Sequence, residues 1–227
     1  MARRKRISKA YVAFFALTLA LVAGAVVLWQ AFGHRWLHPS PAGHVVETTS
    51  ERADPANEGR SVHVSGRLET NKPAYDPQFG VAADAAILFR KVEMYQWRER
   101  CSGGACAYEQ AWSALPIDSR RFREPAGHEN PPARFADARF IAAGLRLGAY
   151  ALDPELVAHL DTVEKPVRAA DLPPNLAATF SDSAGVLYAG GEPAHPHVGT
   201  VRVTYRVVPL SKVELTGVQH GQTLALH

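Results

Sequence analysis

Few residues in this 227-residue chain have types and spacing that could do chemistry: two cysteines and a handful among ten histidines. Cys101 and Cys106 bracket the run Cys-Ser-Gly-Gly-Ala-Cys. Three chemistries suit such a pair. In an oxidising compartment the two would bond to each other across a tight turn. A redox pair would normally have two intervening residues, and this one has more. Half of a zinc site would need two further ligands. A structural disulfide needs nothing else. Its small loop contributes roughly 2 kcal/mol in the chain-entropy model, with α-carbons expected about 4.4–6.8 Å apart.

Among the histidines, His195-Pro196-His197 is the best metal candidate, because residues i and i+2 of an extended chain face the same way. Two ligands do not make a site, and the alternative is a proline-ordered loop ahead of a strand at Val201. His128-Glu129-Asn130 can be read as an acid/base cluster. With Gly127 before it and Pro131-Pro132 after, it also reads as a turn whose side chains bond the backbone. A metal-dependent enzyme outside the cytosol would use His128, His195 and His197. It would need a polar pocket joining at least two of them to a carboxylate. The chain has no phosphate-binding loop, dinucleotide fingerprint, nucleophile elbow or His-Glu-x-x-His. No catalytic, cofactor-binding or metal residue is assigned; the disulfide pair Cys101 and Cys106 is the one site expected.

The elements that must position these residues are mainly strands. Val62, Val64 and Leu68 alternate with His63, Ser65 and Arg67, as in a half-buried strand. Residues 85–100 form the longest strand, with 108–117 as its return partner and Gly103-Gly104 at the hairpin tip. On that strand Tyr95 and Trp97 share a face and are expected to cover apolar surface. Further strands are predicted within 44–48, across 145–150, at 201–207, and around Val213-Leu215 and Leu224-Leu226. Asp153-Pro154-Glu155 opens a short helix to about Leu160, and a second short turn is expected within 172–178. The fold class is mainly β, α+β in arrangement: an antiparallel β-rich domain with a few short helices, behind one N-terminal transmembrane helix.

That helix is read from residues 10–33, which hold no charge. At 1.5 Å per residue they span roughly 36 Å, enough for a hydrocarbon core of about 30 Å. Val, Leu and Phe at ten positions between Ala10 and Trp29 favour insertion by roughly 3–6 kcal/mol. Arg3, Arg4, Lys5, Arg6 and Lys9 precede it, which by the positive-inside rule leaves residues 1–9 as a basic cytoplasmic stub. Removing those five charges from the formal +3 leaves the remainder at −2, so no basic face for nucleic acid is expected. The alternative is a signal peptide cleaved at Ala23-Gly24-Ala25. Both readings carry the rest across the membrane: residues 34–60 as a Pro-rich linker or loose edge, and 61–227 as the β-rich domain.

Four runs, in order, carry a family resemblance: Ser65-Gly-Arg-Leu-Glu-Thr-Asn-Lys-Pro73 with Asp76-Pro-Gln-Phe-Gly80, Val92-Glu-Met-Tyr-Gln-Trp97, Gly127-His-Glu-Asn-Pro131, and Pro196-His-Val-Gly-Thr-Val-Arg-Val203. Together, behind an N-terminal helix, they resemble the LUMA family, known in animals as transmembrane protein forty-three. The resemblance covers roughly residues 10–220. It implies a large non-cytosolic domain between a first helix and a C-terminal helix cluster, a role in organising membrane protein complexes, and no catalytic residues. The chain stops at His227 without those later helices, and is read either as a fragment or as relying on a partner for them. The Ala- and Arg-rich composition looks bacterial, which would make the membrane the inner one and the domain periplasmic. The expected function is a membrane-anchored scaffold, without cofactor. Its expected partners are the bilayer, membrane or periplasmic proteins, or a second copy of the chain.

Overall fold

Alternation of apolar and polar side chains sets the strands of this protein, and the inward set of each strand finds one of two cores. The structure, a computed structural model, describes residues 45–226. The basic stub, the helix expected over 10–33 and the first part of the linker lie outside the described residues. Among the described residues no helix is long and apolar enough to cross a membrane. The strands are β1 Val46–Thr49, β2 Ser61–Glu69, β3 Ala74–Asp76, β4 Val81–Ala83, β5 Ala85–Ser102, β6 Ala105–Ser113, β7 Ala138–Ile141 and β8 Arg146–Leu147. They continue with β9 Tyr150–Leu152, β10 Val163–Glu164, β11 Phe180–Ser183, β12 Val186–Ala189, β13 Val201–Pro209, β14 Lys212–His220 and β15 Thr223–Ala225. Two short helices, α1 Pro154–Val157 and α2 Pro174–Ala177, complete a mainly β fold.

One sheet runs β1-β2-β14-β15-β9-β8, and β8 returns to pair with β2, so five strands close a ring around a small core. Val62, Val64, Leu68, Leu147, Tyr150 and Leu224 fill it. The second sheet runs β11-β12-β13-β5-β6, with β10 added to β13 and β7 to β5. Its inner face, including Leu88, Val92, Met94, Leu187 and Val203, is covered by Phe79, Leu172 and Leu176. Of residues 34–60, the described part carries β1, paired parallel to β2, and a short turn capped by Asp54.

Three expectations are corrected in detail. The run 145–150 is two strands, because Gly148 at φ +59° turns the chain and brings Leu147 opposite Tyr150. The helix opened by Asp153, whose carboxylate accepts from the Glu155 N–H at 3.0 Å, ends at Val157 rather than near Leu160. Tyr95 and Trp97 do not cover an apolar surface. The inward face of β5 is Val92, Met94 and Gln96, and the two aromatics lie half-buried on the other side.

A buried staple joins the second sheet to the β3–β4 hairpin. Arg90 on β5 and Tyr205 on β13 are directly opposed in register. Both reach Asp76 Oδ2 at 2.7 Å, one by an ion pair and one by a hydroxyl donor. The other oxygen accepts from the N–H groups of Gln78 and Phe79, ordering the turn after Asp76. Arg90 also donates to the Ala136 carbonyl and lies 4.9 Å over the Phe79 ring. A buried charge is tolerable when paired and hydrogen-bonded on every side, as Asp76 is here. Burial, with the Asp76 carboxylate beside it, pushes the Tyr205 phenol well up, so it stays a donor.

Candidate interaction face

The outward face of the second sheet gathers half-exposed aromatic rings, and the register explains why. Tyr95 on β5 opposes Trp112 on β6, Arg202 on β13 opposes Glu93 on β5, and Tyr188 on β12 opposes Arg202. Alternation puts all of them on the side away from the core. Arg202 donates to Glu93 at 2.8 Å, and its guanidinium lies 4.4 Å over the Trp112 ring. Trp112 meets Tyr95 edge-on at 5.4 Å and Tyr188 at 6.4 Å. The result is a row of three rings, Trp112 in the middle with the Arg202 cation over it. Burial pushes the Glu93 carboxyl up, but the hydrogen bond and charge of Arg202, with Lys91 nearby, outweigh it and hold it below the usual range.

Further along the same face, Trp97 meets the His128 ring edge-on at 4.8 Å, and His128 stacks on Tyr108 at 3.8 Å. The Tyr108 hydroxyl donates to Glu99 at 2.8 Å and accepts from the Glu124 N–H at 2.9 Å. Desolvation and the Glu99 carboxylate raise this phenol. His128 Nδ1 lies 2.9 Å from the Glu124 carbonyl, which can only accept, so Nδ1 carries the proton. His128 and its neighbours therefore form a loop whose side chains bond the backbone. Glu129 accepts from the Gly127 N–H at 3.0 Å. Asn130 accepts from the Trp97 N–H at 2.8 Å and donates to the Trp97 carbonyl at 3.0 Å. The β13 ladder on that flank of β5 ends at Met94, so one amide side chain supplies what a neighbouring strand would.

Cys101 and Cys106 are bonded, at the tip of the hairpin. Their α-carbons are 4.0 Å apart, closer than expected, because the two are directly opposed across β5 and β6. Gly103 and Gly104, at φ +57° and +86°, make the turn that left-handed residues favour in two-residue hairpins. Glu99 joins the cysteines in the one group of three metal-ligating residue types among the described residues whose ligand atoms lie within 4.8 Å of one another. The sulfurs are occupied by their mutual bond.

None of the three histidines belongs to such a group. His195 is an exposed side chain 4.0 Å from Glu192. His197 sits in a turn closed by Thr200, whose hydroxyl accepts from the His197 N–H at 3.1 Å. A cleft of about 580 Å³ is lined by His197 with Phe135, Leu176 and Val201, and by no carboxylate and neither of the other two histidines.

Sequence reasoning missed two buried polar devices. The Asp76–Arg90–Tyr205 staple joins residues far apart in the chain, and its one local sign is the run Asp76-Pro-Gln-Phe-Gly80. Gln96, 1% exposed, donates to the Leu115 carbonyl at 3.2 Å and accepts from the Ile117 N–H at 2.9 Å. It holds the turn after β6 so that Leu115 stays 77% exposed. Its sign is a polar residue at an inward position of an alternating strand.

Comparison with known proteins adds a family. A family model described as transmembrane protein 43 matches residues 94–226. Transmembrane protein 43 of Rattus norvegicus is 32% identical over 170 residues, 69% of this chain and 42% of that protein. The Homo sapiens protein is 31% identical over the same shares. A Drosophila melanogaster homologue is 26% identical over 222 residues, 86% of this chain and 56% of its own length. The chain thus spans about two fifths of the length of the mammalian relatives it matches. No solved structure matches it.

Proposed function

Since the chain belongs to the transmembrane protein 43 family, a family of membrane proteins, we propose that it is a membrane-anchored scaffold whose β domain docks partner proteins on the non-cytosolic side. The carrying observation is the row of Tyr95, Trp112 and Tyr188 with Arg202 over its central ring. Aromatic residues and arginine are the types enriched at interface hot spots, because a rigid ring buries much area for little lost entropy. Glu93 holds Arg202 in place before any partner arrives, which lowers the ordering cost of binding.

Beside this face lies the edge strand β6, whose outer flank carries no backbone pairing among the described residues. It contains no proline and one charge, Glu109; the Trp112 carbonyl is already met by Arg98, so an added strand would pair along the run toward the hairpin tip. A partner can therefore add backbone hydrogen bonds along β6 while its side chains meet Trp112. The reading assigns no catalysis and no cofactor. The anchor is the uncharged stretch 10–33, with the N-terminus cytoplasmic; in a bacterium the domain would be periplasmic.

Crosslinking in native membranes followed by mass spectrometry tests this. Peptides of β6 and β13 should carry the crosslinks, to another membrane protein or to a second copy. Trp112→Ala should abolish them, whereas Glu214→Ala, on the ring sheet, should leave them. Identical crosslinks in the Trp112→Ala chain would refute the docking face.

A further inference from the structure

The hairpin tip holds two sulfurs and a carboxylate in one place, and this arrangement has a second chemistry. We propose that reduction of the Cys101–Cys106 bond converts the tip into a zinc site with Cys101, Cys106 and Glu99 as ligands. The ligand atoms of the three already lie within 4.8 Å of one another. The spacing of the cysteines falls within the C-x₂₋₄-C range of zinc sites. The third ligand, which the sequence does not reveal, is brought in by the pleat: Glu99 is two residues before Cys101 and so shares its face.

The disulfide is not what holds these residues together. Nine ladder pairs, from Met94–Ser113 to Ser102–Ala105, fix the hairpin, and the Gly103-Gly104 turn closes it. Once the bond is cut, the directly opposed cysteines remain close enough for both sulfurs to reach one ion at about 2.3 Å each. Glu99 is pre-placed as well. One of its oxygens accepts from the Tyr108 hydroxyl and the Arg123 N–H, leaving Oε2 for an ion. Two thiolates and a carboxylate exceed the charge of Zn²⁺ by one, and Arg123, whose guanidinium donates to the Gly104 carbonyl at the tip, stands close by to offset it. The mixed sulfur and oxygen set suits Zn²⁺ better than Cu⁺, which prefers sulfur alone. Water takes the fourth position, since the tip is open to solvent: Cys101 is exposed and Cys106 only partly covered.

The reaction balances with a thiol reductant. Two electrons and two protons from a dithiol cleave the S–S bond to two thiols, and the dithiol leaves as its own disulfide. Each protein thiol then loses its proton on binding Zn²⁺. The same exposure that leaves the site open to water leaves the bond open to attack.

The test uses the full chain in detergent, oxidised or reduced with a phosphine, titrated with Co²⁺ and then with Zn²⁺ against a chromophoric chelator. Reduced chain should show a thiolate-to-cobalt charge-transfer band saturating at one ion per chain and displaced by Zn²⁺; oxidised chain should show none. Glu99→Gln keeps both cysteines, and should weaken the reduced site at least about tenfold, the scale on which even outer-shell partners act. Cys101→Ser should remove the band. No band in the reduced chain overturns the proposal. So does saturation at one ion per two chains, or an affinity untouched by Glu99→Gln.

Discussion

Asp76 is the side chain whose loss should matter most to stability. It is fully buried, and Arg90, Tyr205 and two backbone N–H groups all converge on it. Asp76→Ala leaves the Arg90 guanidinium buried without its partner, a change that typically costs about 3–5 kcal/mol. Tyr205→Phe removes one donor to a charged group, worth about 1.5–3 kcal/mol. Denaturant unfolding of the two variants should rank them in that order. Glu93 gives a pH-dependent prediction. Its folded pKa is depressed, so its contribution is fully present above the unfolded value, about 4.3, and fades as pH falls through the lower folded value. As pH falls through that lower folded value, Arg202 should therefore leave the Trp112 ring. The fluorescence difference between wild type and Trp112→Phe should report the release, and a difference independent of pH down to global unfolding would contradict it.

At the scale of elements, the distal half of β5 is held on the flank away from β6 by a loop rather than by a strand. Asn130→Ala leaves the Trp97 N–H and C=O without partners. Leaving buried polar groups unmade costs about 1–3 kcal/mol, and amide exchange at Trp97 should accelerate before that of Leu88, deep in the β13 ladder. Trp97→Ala should cost less than the about 3–5 kcal/mol of a fully buried aromatic, since Trp97 is half-buried against His128. The alternation in 85–100 made a strand legible. It did not say which of its two faces is inward, because each carries apolar residues: Val92 and Met94 on one, Tyr95 and Trp97 on the other. Arg202 and Glu93 decide it, since a face with paired charges is easier to leave wet.

Across the whole molecule, the two cores share strands. Near its start β5 sends Ala86 and Ile87 into the ring core and Leu88 into the other, and β13 divides Val208 and Val207 in the same way. Opening one core therefore strains strands that also line the other. Ile87→Ala, expected to cost about 2–5 kcal/mol, should lower one calorimetric transition of the domain rather than split it in two. The family and the uncharged stretch 10–33 together predict that the chain stays with membranes after carbonate washing. Release of a product beginning near Val26 would show a cleaved segment instead.

Read alone, the residues determined the mainly β class, the hairpin with its Gly-Gly tip, the two cysteines as partners, and the membership that the ordered runs such as Gly127-His-Glu-Asn-Pro131 point to. These are local: a period of two, a turn dipeptide, a short spacing. The Asp76–Arg90–Tyr205 staple, the seating of Arg202 on Trp112, the closure of β8 onto β2 and the approach of Glu99 to the cysteines were decided only by tertiary structure. Each depends on the register between strands, and a shift of one residue would reverse the face of every side chain involved. Register is set by which set of apolar side chains fills a common core, a property of all the strands together that no single stretch of sequence carries.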